Sequence, residues 1–155
     1  MRRDFDTDQS ADTEGIAVIK KVQRKIREHV RDAYPLECCG LLFGRAGKTG
    51  PLMIEDSVRT ENVSEKKETH FQIAPLEMFR HERKQAERGF ELLGFYHSHP
   101  DQPAVPSEED VRKMLPEVIY LIVSVTDGEP GGIRAWMKEQ GTGTVREPGT
   151  GEGTG

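Results

Sequence analysis

The sequence predicts an α/β fold, a single domain in which helices flank a mixed, curved β-sheet. Residues 118–125 form a continuous, β-branched apolar run, which is typical of a central strand buried on both faces. Residues 38–44 form a second apolar run, which is too short for a typical helix and is closed by glycine. Between residues 16 and 35, apolar residues instead recur with helical spacing. The chain therefore encodes both strands and helices.

The first predicted helix carries apolar residues three or four positions apart, which places them on one stripe: Ile19, Val22, Ile26 and Val30. This helix must end before Pro35, because proline cannot continue it. Residues 48–51 have turn-forming side chains, and residues 52–63 alternate loosely enough to predict a strand. A hairpin is therefore expected after the strand at 38–44. Residues 71–73 are a further short strand candidate.

The second predicted helix spans residues 75–89, beginning at a proline and ending at a glycine. A strand is predicted over residues 90–99, and the prolines of residues 100–106 then exclude regular structure. Ser107 opens a short third helix that ends before Pro116. The predicted sheet contains five strands, at residues 38–44, 52–60, 90–98, 118–125 and 133–137.

One domain is expected over residues 15–139, with a tail on each side. Residues 1–14 are polar and acid-rich without a hydrophobic period, which predicts a disordered N-terminal tail. Residues 140–155 are rich in glycine and threonine and have almost nothing to bury, so they are predicted to form a flexible tail of unassigned function.

The composition excludes several classes of function. The net charge of the 155 residues is −5, so no general basic field exists to attract nucleic acid or an anionic membrane. No apolar stretch is long enough to cross a bilayer, and the N-terminus has no apolar core of a secretory signal. A soluble, cytoplasmic protein is expected. Its oligomeric state is left open.

The two cysteines, Cys38 and Cys39, are adjacent, and adjacent cysteines close a disulfide only with severe backbone strain. No Cys-x-x-Cys motif and no neighbouring histidine pattern suggests metal binding or redox chemistry. Reduced thiols packed in the interior are the expectation.

The strongest chemical signal is a pair of histidines at the end of a predicted strand. Because side chains alternate along a strand, His97 and His99 lie on the same face while Ser98 points the other way. Asp110 follows in the first turn of the third helix, so the proline-rich loop could return its carboxylate to the histidines. Two histidines and one carboxylate form a set typical of catalytic zinc, with the fourth position left for water.

Glu37 is the candidate general base for that water. It stands at the mouth of the buried strand at 38–44, where an unpaired charge is costly unless a partner such as a cation is near. A metal site would supply this partner. A carboxylate there could take the proton of the zinc-bound water, whose pKa the metal lowers.

These residues resemble the motif of the JAMM metallopeptidases of the MPN-plus class, a distant glutamate followed by His-x-His, seven residues, Ser, two residues and Asp. The matching positions are Glu37, His97, His99, Ser107 and Asp110. The resemblance spans roughly residues 16–138, and compact bacterial members that act on sulfur carriers are the most similar. It implies an MPN-like fold, Zn²⁺ bound by the two histidines, Asp110 and a water, Glu37 as general acid and base, and Ser107 as a hydrogen-bonding partner of the water or oxyanion.

The same resemblance implies a hydrolase that cleaves the peptide, isopeptide or cysteine-adduct bond at the C-terminus of a ubiquitin-like, β-grasp or sulfur-carrier protein. The sequence does not indicate which of these three bonds is cleaved. A non-catalytic MPN-type scaffold or binding module is the main alternative, although its usual mark is missing ligands, and a DNA-repair relative of this family is disfavoured by the acidic charge balance.

Simpler interpretations remain for each part of the motif. Ser107 and Asp110 also fit an N-terminal capping box, and Glu37 alone could be an exposed turn acid. The remaining histidines are expected at the surface or in satisfied hydrogen bonds, outside the metal set: His29, His70 and His81.

Overall fold

The computed structural model describes residues 15–45 and 51–151, with the last two described by their backbone alone. The predicted N-terminal tail at 1–14 and most of the predicted turn at 48–51 lie outside these residues. The elements in chain order are β1 (Ile16–Val18), α1 (Lys20–Ala33), β2 (Cys39–Gly44), β3 (Leu52–Ile54), β4 (Asp56–Thr60), α2 (Pro75–Ala86), β5 (Glu91–Pro100), α3 (Glu108–Lys113), β6 (Ile119–Thr126), β7 (Glu129–Lys138), β8 (Val145–Arg146) and β9 (Thr150–Gly151).

Six strands form the main sheet, in the order β4-β2-β5-β6-β7-β8. The pair β5 and β6 is parallel, whereas the other neighbours in this sheet are antiparallel. A mixed sheet in an α/β domain is therefore confirmed. The apolar run of residues 118–125 becomes β6, which lies between two partners and is buried over most of its length, as predicted.

Helices α1 and α2 cover opposite faces of this sheet. The stripe of α1 is fully buried at Val22 and packs in one apolar cluster with Leu42 of β2. The neighbouring residue Leu41 belongs to a second cluster, which Met78 of α2 joins. Because successive side chains of a strand point to opposite faces, one short apolar run contributes to both layers. The helical predictions at 19–30 and 75–89 are confirmed.

A second sheet, in the order β3-β1-β9, corrects part of the predicted topology. Residues 52–54 were expected in the main sheet, but they pair in parallel with β1, which periodicity had assigned to the beginning of the first helix. Only β4, from the same predicted strand, joins β2 in the expected antiparallel pairing. The predicted strand is interrupted at Glu55, where the chain passes from one sheet to the other. The Glu55 amide donates to Phe43 O at 2.9 Å at this point.

Two further expectations are corrected. Residues 71–73 are not a strand but part of the loop that precedes α2. The amide of Gln72 donates to the side-chain oxygen of Asn62. Within the predicted flexible tail, residues 145–146 pair with β7 and residues 150–151 pair with β1. Strand pairing uses backbone groups and needs little apolar side chain, so composition alone did not reveal it. The domain boundaries at 15 and 139 stay a prediction.

The short α3 spans Glu108–Lys113 with Ser107 as its N-cap residue, and it ends before Pro116 as predicted. Cys38 and Cys39 are both buried free thiols, as expected from their apolar neighbours. In the described part of the chain, no helix has the length and apolar character needed to span a membrane.

Candidate metal centre and active site

The end of β5 brings two imidazoles to one point. Nε2 of His97 lies 3.2 Å from Nε2 of His99, whereas the side chain of Ser98 between them accepts a hydrogen bond from the Cys38 amide at 2.9 Å. Both histidines are buried. The alternation expected along the strand is confirmed.

Asp110 closes this set from α3. Its Oδ2 atom lies 3.2 Å from Nε2 of His97 and 3.0 Å from Nε2 of His99. The same oxygen accepts the Ser107 amide at 2.9 Å, and Ser107 Oγ accepts the Asp110 amide at 3.0 Å, which completes a capping box. The capping box is therefore present, and it is compatible with Asp110 as a metal ligand, because the cap orients the carboxylate towards the histidines.

The donor set fits a zinc ion. One ligand atom from each of His97, His99 and Asp110 can be chosen so that the three lie within 4.8 Å of one another. The contacts of 3.0–3.2 Å are close to the ~3.3 Å that separates ligands on a tetrahedral zinc with bonds of ~2.0–2.1 Å. Two imidazole nitrogens and one carboxylate oxygen are also ligands that zinc accepts.

The tautomer of His99 supports this fit. Its Nδ1 atom lies 2.8 Å from Pro103 O, and a carbonyl only accepts, so Nδ1 donates and Nε2 of the neutral ring faces the set with its lone pair. His97 is held differently, by stacking on Phe71 with ring centroids 4.4 Å apart. Its Nδ1 atom has no hydrogen-bond partner among the described residues.

The three groups share a strongly coupled electrostatic environment. Burial lowers the pKa of His97. Burial acts in the same sense on His99, but hydrogen bonds to Asp110 and Pro103 O outweigh it and raise the pKa of this imidazole. Burial opposes ionisation of Asp110 too, yet the hydrogen bonds from both histidines hold its pKa well below the usual range. A negative carboxylate facing two imidazoles is the charge pattern that attracts a cation.

Glu37 is positioned by its backbone, just before β2. Its amide donates to Lys67 O at 2.8 Å, and its carbonyl accepts from Nδ2 of Asn62 at 3.0 Å. The side chain is buried, and Oε1 has no hydrogen-bond partner in the part of the chain that the structure describes. Burial raises the pKa of Glu37 to about 8, against the opposing charge of His99. The alternative of an exposed turn acid is therefore wrong.

Glu37, His99 and Ser107 line one cavity of about 500 Å³. Ser107 accepts a hydrogen bond through Oγ from the Asp110 amide, which leaves its hydroxyl hydrogen available for donation. The structure thus brings all five residues of the motif to one region. A carboxylate, a hydroxyl and a candidate metal set meet beside space that a substrate can enter.

Asn62 is a positioning residue to which the sequence assigned no role. Its Nδ2 donates to the carbonyls of Glu37 and His70, both at 3.0 Å, and its Oδ1 accepts the amides of Ser64 and Gln72, both at 3.1 Å. One buried side chain therefore ties the backbone of Glu37 to the loop that carries Phe71. Only the contact with Ser64, two residues away, is of the local kind that an asparagine in a turn makes. The partners at Glu37, His70 and Gln72 come from separate stretches of the chain, so the local pattern does not indicate them.

The other histidines lie outside this set, as expected. Nδ1 of His29 lies 2.6 Å from the hydroxyl of Tyr96, and burial lowers the pKa of His29 to about 4. His70 contacts Thr69 Oγ1 at 2.7 Å, and His81 lies 3.6 Å from Glu77 on the surface of α2.

Comparisons with known proteins agree with this geometry. The sequence model of a family described as prokaryotic homologs of the JAB domain matches residues 20–139. A Thermus thermophilus protein, named as a probable TtuB-protein conjugate cleaving protease, is 31% identical over 115 residues, which cover 74% of this chain and 70% of the relative. A desampylase of Pyrococcus furiosus is 30% identical over 103 residues, covering 66% of each chain.

Solved structures extend the likeness to the fold. A solution structure of a protein from Desulfitobacterium hafniense has a TM-score of 0.78 at 30% identity and covers 90% of this chain and 94% of its own. A JAB1/MPN domain protein from Archaeoglobus fulgidus has a TM-score of 0.54 at 16% identity, covering 88% of this chain and 98% of its own. At that identity the second likeness bears on the fold alone.

Proposed function

This chain belongs to the family of prokaryotic homologs of the JAB domain, and on that premise we propose that it is a zinc-dependent metallopeptidase of the JAMM type. The observation that carries the proposal is the convergence of His97, His99 and Asp110 next to a buried glutamate whose side-chain oxygen lacks a partner among the described residues. The substrate is a ubiquitin-like or sulfur-carrier protein, cleaved at the bond that follows its C-terminal residue.

The names of two relatives support this substrate class. One is named for cleaving TtuB–protein conjugates and the other is named a desampylase. Both are similar to this chain over most of the domain that contains the site. The proposal covers three scissile bonds, namely a peptide, an isopeptide and a cysteine-adduct bond, and the experiments below compare them.

The proposed zinc ligands are His97, His99 and Asp110. A zinc ion held by them would supply Lewis acidity for the scissile carbonyl and lower the pKa of a water molecule towards ~7. The ligands are prepared for this role by their partners: His99 is oriented through Pro103 O and Asp110 through the Ser107 amide.

Glu37 moves the proton in this mechanism. Its carboxylate accepts a proton from the attacking water and returns one to the leaving amine, so the same group acts first as base and then as acid. Burial raises the pKa of Glu37 to about 8, and a zinc cation beside the group would favour the ionised carboxylate that accepts the proton. Because the backbone on both sides of its Cα is hydrogen-bonded, the carboxylate is presented from a fixed position.

Ser107 stabilises negative charge that develops on the substrate carbonyl. Its Oγ is held by the Asp110 amide, so the remaining hydroxyl hydrogen can point into the cavity that it shares with Glu37. A pre-oriented donor of this kind stabilises the transition state more in a buried site than in water, because no solvent has to reorganise during the reaction.

A direct test uses a carrier protein extended by one cysteine past its C-terminal glycine pair, with the product masses followed over time. The zinc-loaded protein is expected to release cysteine, and chelation is expected to stop the release. Glu37→Gln should retain zinc and lower the rate by about 10²–10⁴-fold. Glu65→Gln, the same change at an exposed position, should behave like the unmodified protein.

Two results would overturn parts of this proposal. Cleavage that survives both chelation and Glu37→Gln would refute the mechanism. Failure to cleave the cysteine adduct, a lysine isopeptide conjugate and a linear extension of the carrier would refute the substrate class, and full zinc occupancy in that case would favour the scaffold alternative.

A further inference from the structure

A second cavity lies against the candidate metal centre on its apolar side. It has a volume of about 270 Å³, and its wall includes His97 and Asp110. The rest of the wall is mostly apolar and comes from α2 and the loop before it, the main sheet and the end of α3. Its residues include Ile73, Met78, Phe95, Met114, Leu115 and Ile122.

The two cavities meet at the metal set. Pro106 lines both, whereas Glu37, His99 and Ser107 line only the larger one and His97 and Asp110 only the apolar one. A substrate whose scissile carbonyl sits at the metal set therefore has the proton-transferring carboxylate on one side and an apolar hollow on the other.

The hydroxyl group and the charged groups that line the apolar cavity already have partners. The hydroxyl of Tyr120 accepts the Leu115 amide at 2.9 Å, and Asp110 contacts both histidines. Lys113 is the one lysine or arginine among the residues that line it, and its ammonium lies 3.2 Å from Glu109. A cationic side chain entering this cavity would lose its hydration beside a like charge, and an anionic one would lose its hydration among apolar groups. An apolar side chain has no charge to dehydrate, so it enters the cavity without either penalty.

We propose that this cavity is a specificity pocket that binds an apolar side chain, of the size of leucine, methionine or phenylalanine, from the residue next to the scissile bond. The inference rests on the proposed function, since it takes the metal set as the place of cleavage. In a carrier that ends in a glycine pair, the residue on the acyl side of the scissile bond has no side chain. The occupant therefore belongs to the leaving group, whose first residue contributes affinity by removing apolar surface from water.

Binding can be measured apart from cleavage. The probes are N-acetyl-leucine amide, N-acetyl-phenylalanine amide and the polar, similar-sized N-acetyl-glutamine amide, added to the zinc-loaded protein. Methyl NMR signals of Ile73, Met78, Met114 and Ile122 report on the cavity wall. The two apolar probes are expected to shift these signals with a Kd at least about tenfold lower than that of the glutamine probe.

A matched pair of variants locates the effect. Leu115 lines the cavity and is 56% exposed, so Leu115→Glu places a charge at its mouth without removing a core residue. Leu76 is 63% exposed and lies outside both cavity walls. Leu115→Glu should weaken binding of the leucine probe by about tenfold or more, whereas Leu76→Glu should leave it unchanged.

Cleavage then tests the link to the reaction. A carrier extended past its glycine pair by one residue is compared with that residue as leucine, glutamine or lysine, and kcat/KM is expected to be at least about tenfold higher for leucine. Leu115→Glu should reduce this preference.

The outcomes separate the two proposals. Equal shifts of the cavity methyls by leucine and glutamine probes, or no shifts at all, would overturn the specificity pocket. So would shifts that depend on protein concentration without any probe, because a second copy of the chain would then fill the cavity. Selective binding of the leucine probe without cleavage of any extended carrier supports the pocket and refutes the proposed function.

Discussion

The carbonyl oxygen of Pro103 lies 2.8 Å from Nδ1 of His99, and this contact decides what the other ring nitrogen can do. Nδ1 must donate, so Nε2 of the neutral ring presents a lone pair to the Asp110 carboxylate at 3.0 Å. Two acceptors at this distance need a proton or a cation between them. A loop carbonyl four residues away thus prepares the imidazole for a metal.

Removing the charge of Asp110 is expected to weaken metal binding. Asp110→Asn keeps an oxygen that can accept the Ser107 amide, so the start of α3 should persist, but the anionic ligand is lost. The Kd for zinc should rise by at least about tenfold, measured by chelator competition with metal content checked by mass spectrometry. Asp127→Asn, a change in an exposed turn, is the control. Equal zinc affinity of both variants would argue against Asp110 as a ligand.

Asn62 is expected to contribute to both stability and catalysis. Asn62→Ala removes four hydrogen bonds and leaves buried backbone groups unsatisfied, including the carbonyl of Glu37. The free energy of unfolding, from urea titration, should fall by about 2–4 kcal/mol. At a temperature where the variant is folded, kcat should fall because Glu37 is less well placed. Asn62→Asp keeps the acceptor but turns a carboxylate oxygen towards the carbonyls of Glu37 and His70, so it should lose at least as much stability as Asn62→Ala. A clearly smaller loss in Asn62→Asp would contradict this account.

Trp136 is expected to support the metal centre from β7. Its Nε1 donates to Ala104 O at 3.0 Å, next to the carbonyl that orients His99. Trp136→Phe keeps an aromatic ring and loses this donor, so the loop should loosen, with a stability loss of about 1 kcal/mol and a zinc Kd about tenfold higher.

The control for this variant is Glu129→Gln on the same strand, because the Glu129 side chain is 78% exposed and its ion pair with Arg31 is long, at 4.0 Å. This change should leave stability nearly unchanged. Zinc affinity that falls as much in Glu129→Gln as in Trp136→Phe would assign the effect to the strand as a whole.

The buried Asp56 is expected to make stability depend on acid pH. Burial would raise the pKa of this carboxyl, but hydrogen bonds from Lys25, Gln85 and Arg88 outweigh burial and lower it from 3.8 to about 2. The folded pKa lies below the unfolded one, so the contribution of Asp56 is complete above pH ~4 and is lost as pH falls through about 2.

The shift corresponds to about 1–2 kcal/mol after allowance for solvent around Lys25 and Arg88, which are 42% and 51% exposed. Urea titrations of the unmodified protein and Asp56→Asn should therefore differ by about this amount at pH 7 and converge towards pH 2. A difference that stays constant with pH would show that the ion pairs contribute nothing.

Much of the fold and the membership of the candidate site follow from local patterns. The helix at α1 and the strand at β6 were predicted because their apolar periods differ, and each period suits one backbone geometry. His97 and His99 were placed on one face for the same reason. The errors include β1, β3, β8 and β9, whose short pairings depend on which strand edge is free after folding.

The sequence by itself determined the longer helices and strands, the residues of the candidate centre and the family, since these depend on residue type and spacing along the chain. The tertiary structure alone decided that Glu37 is buried with a raised pKa, that Asn62 holds its backbone, and that an apolar cavity borders the metal set. The reason is physical: burial, hydrogen-bond partners and empty space are properties of residues far apart in the chain, and they exist only once the sheet and its helices have packed.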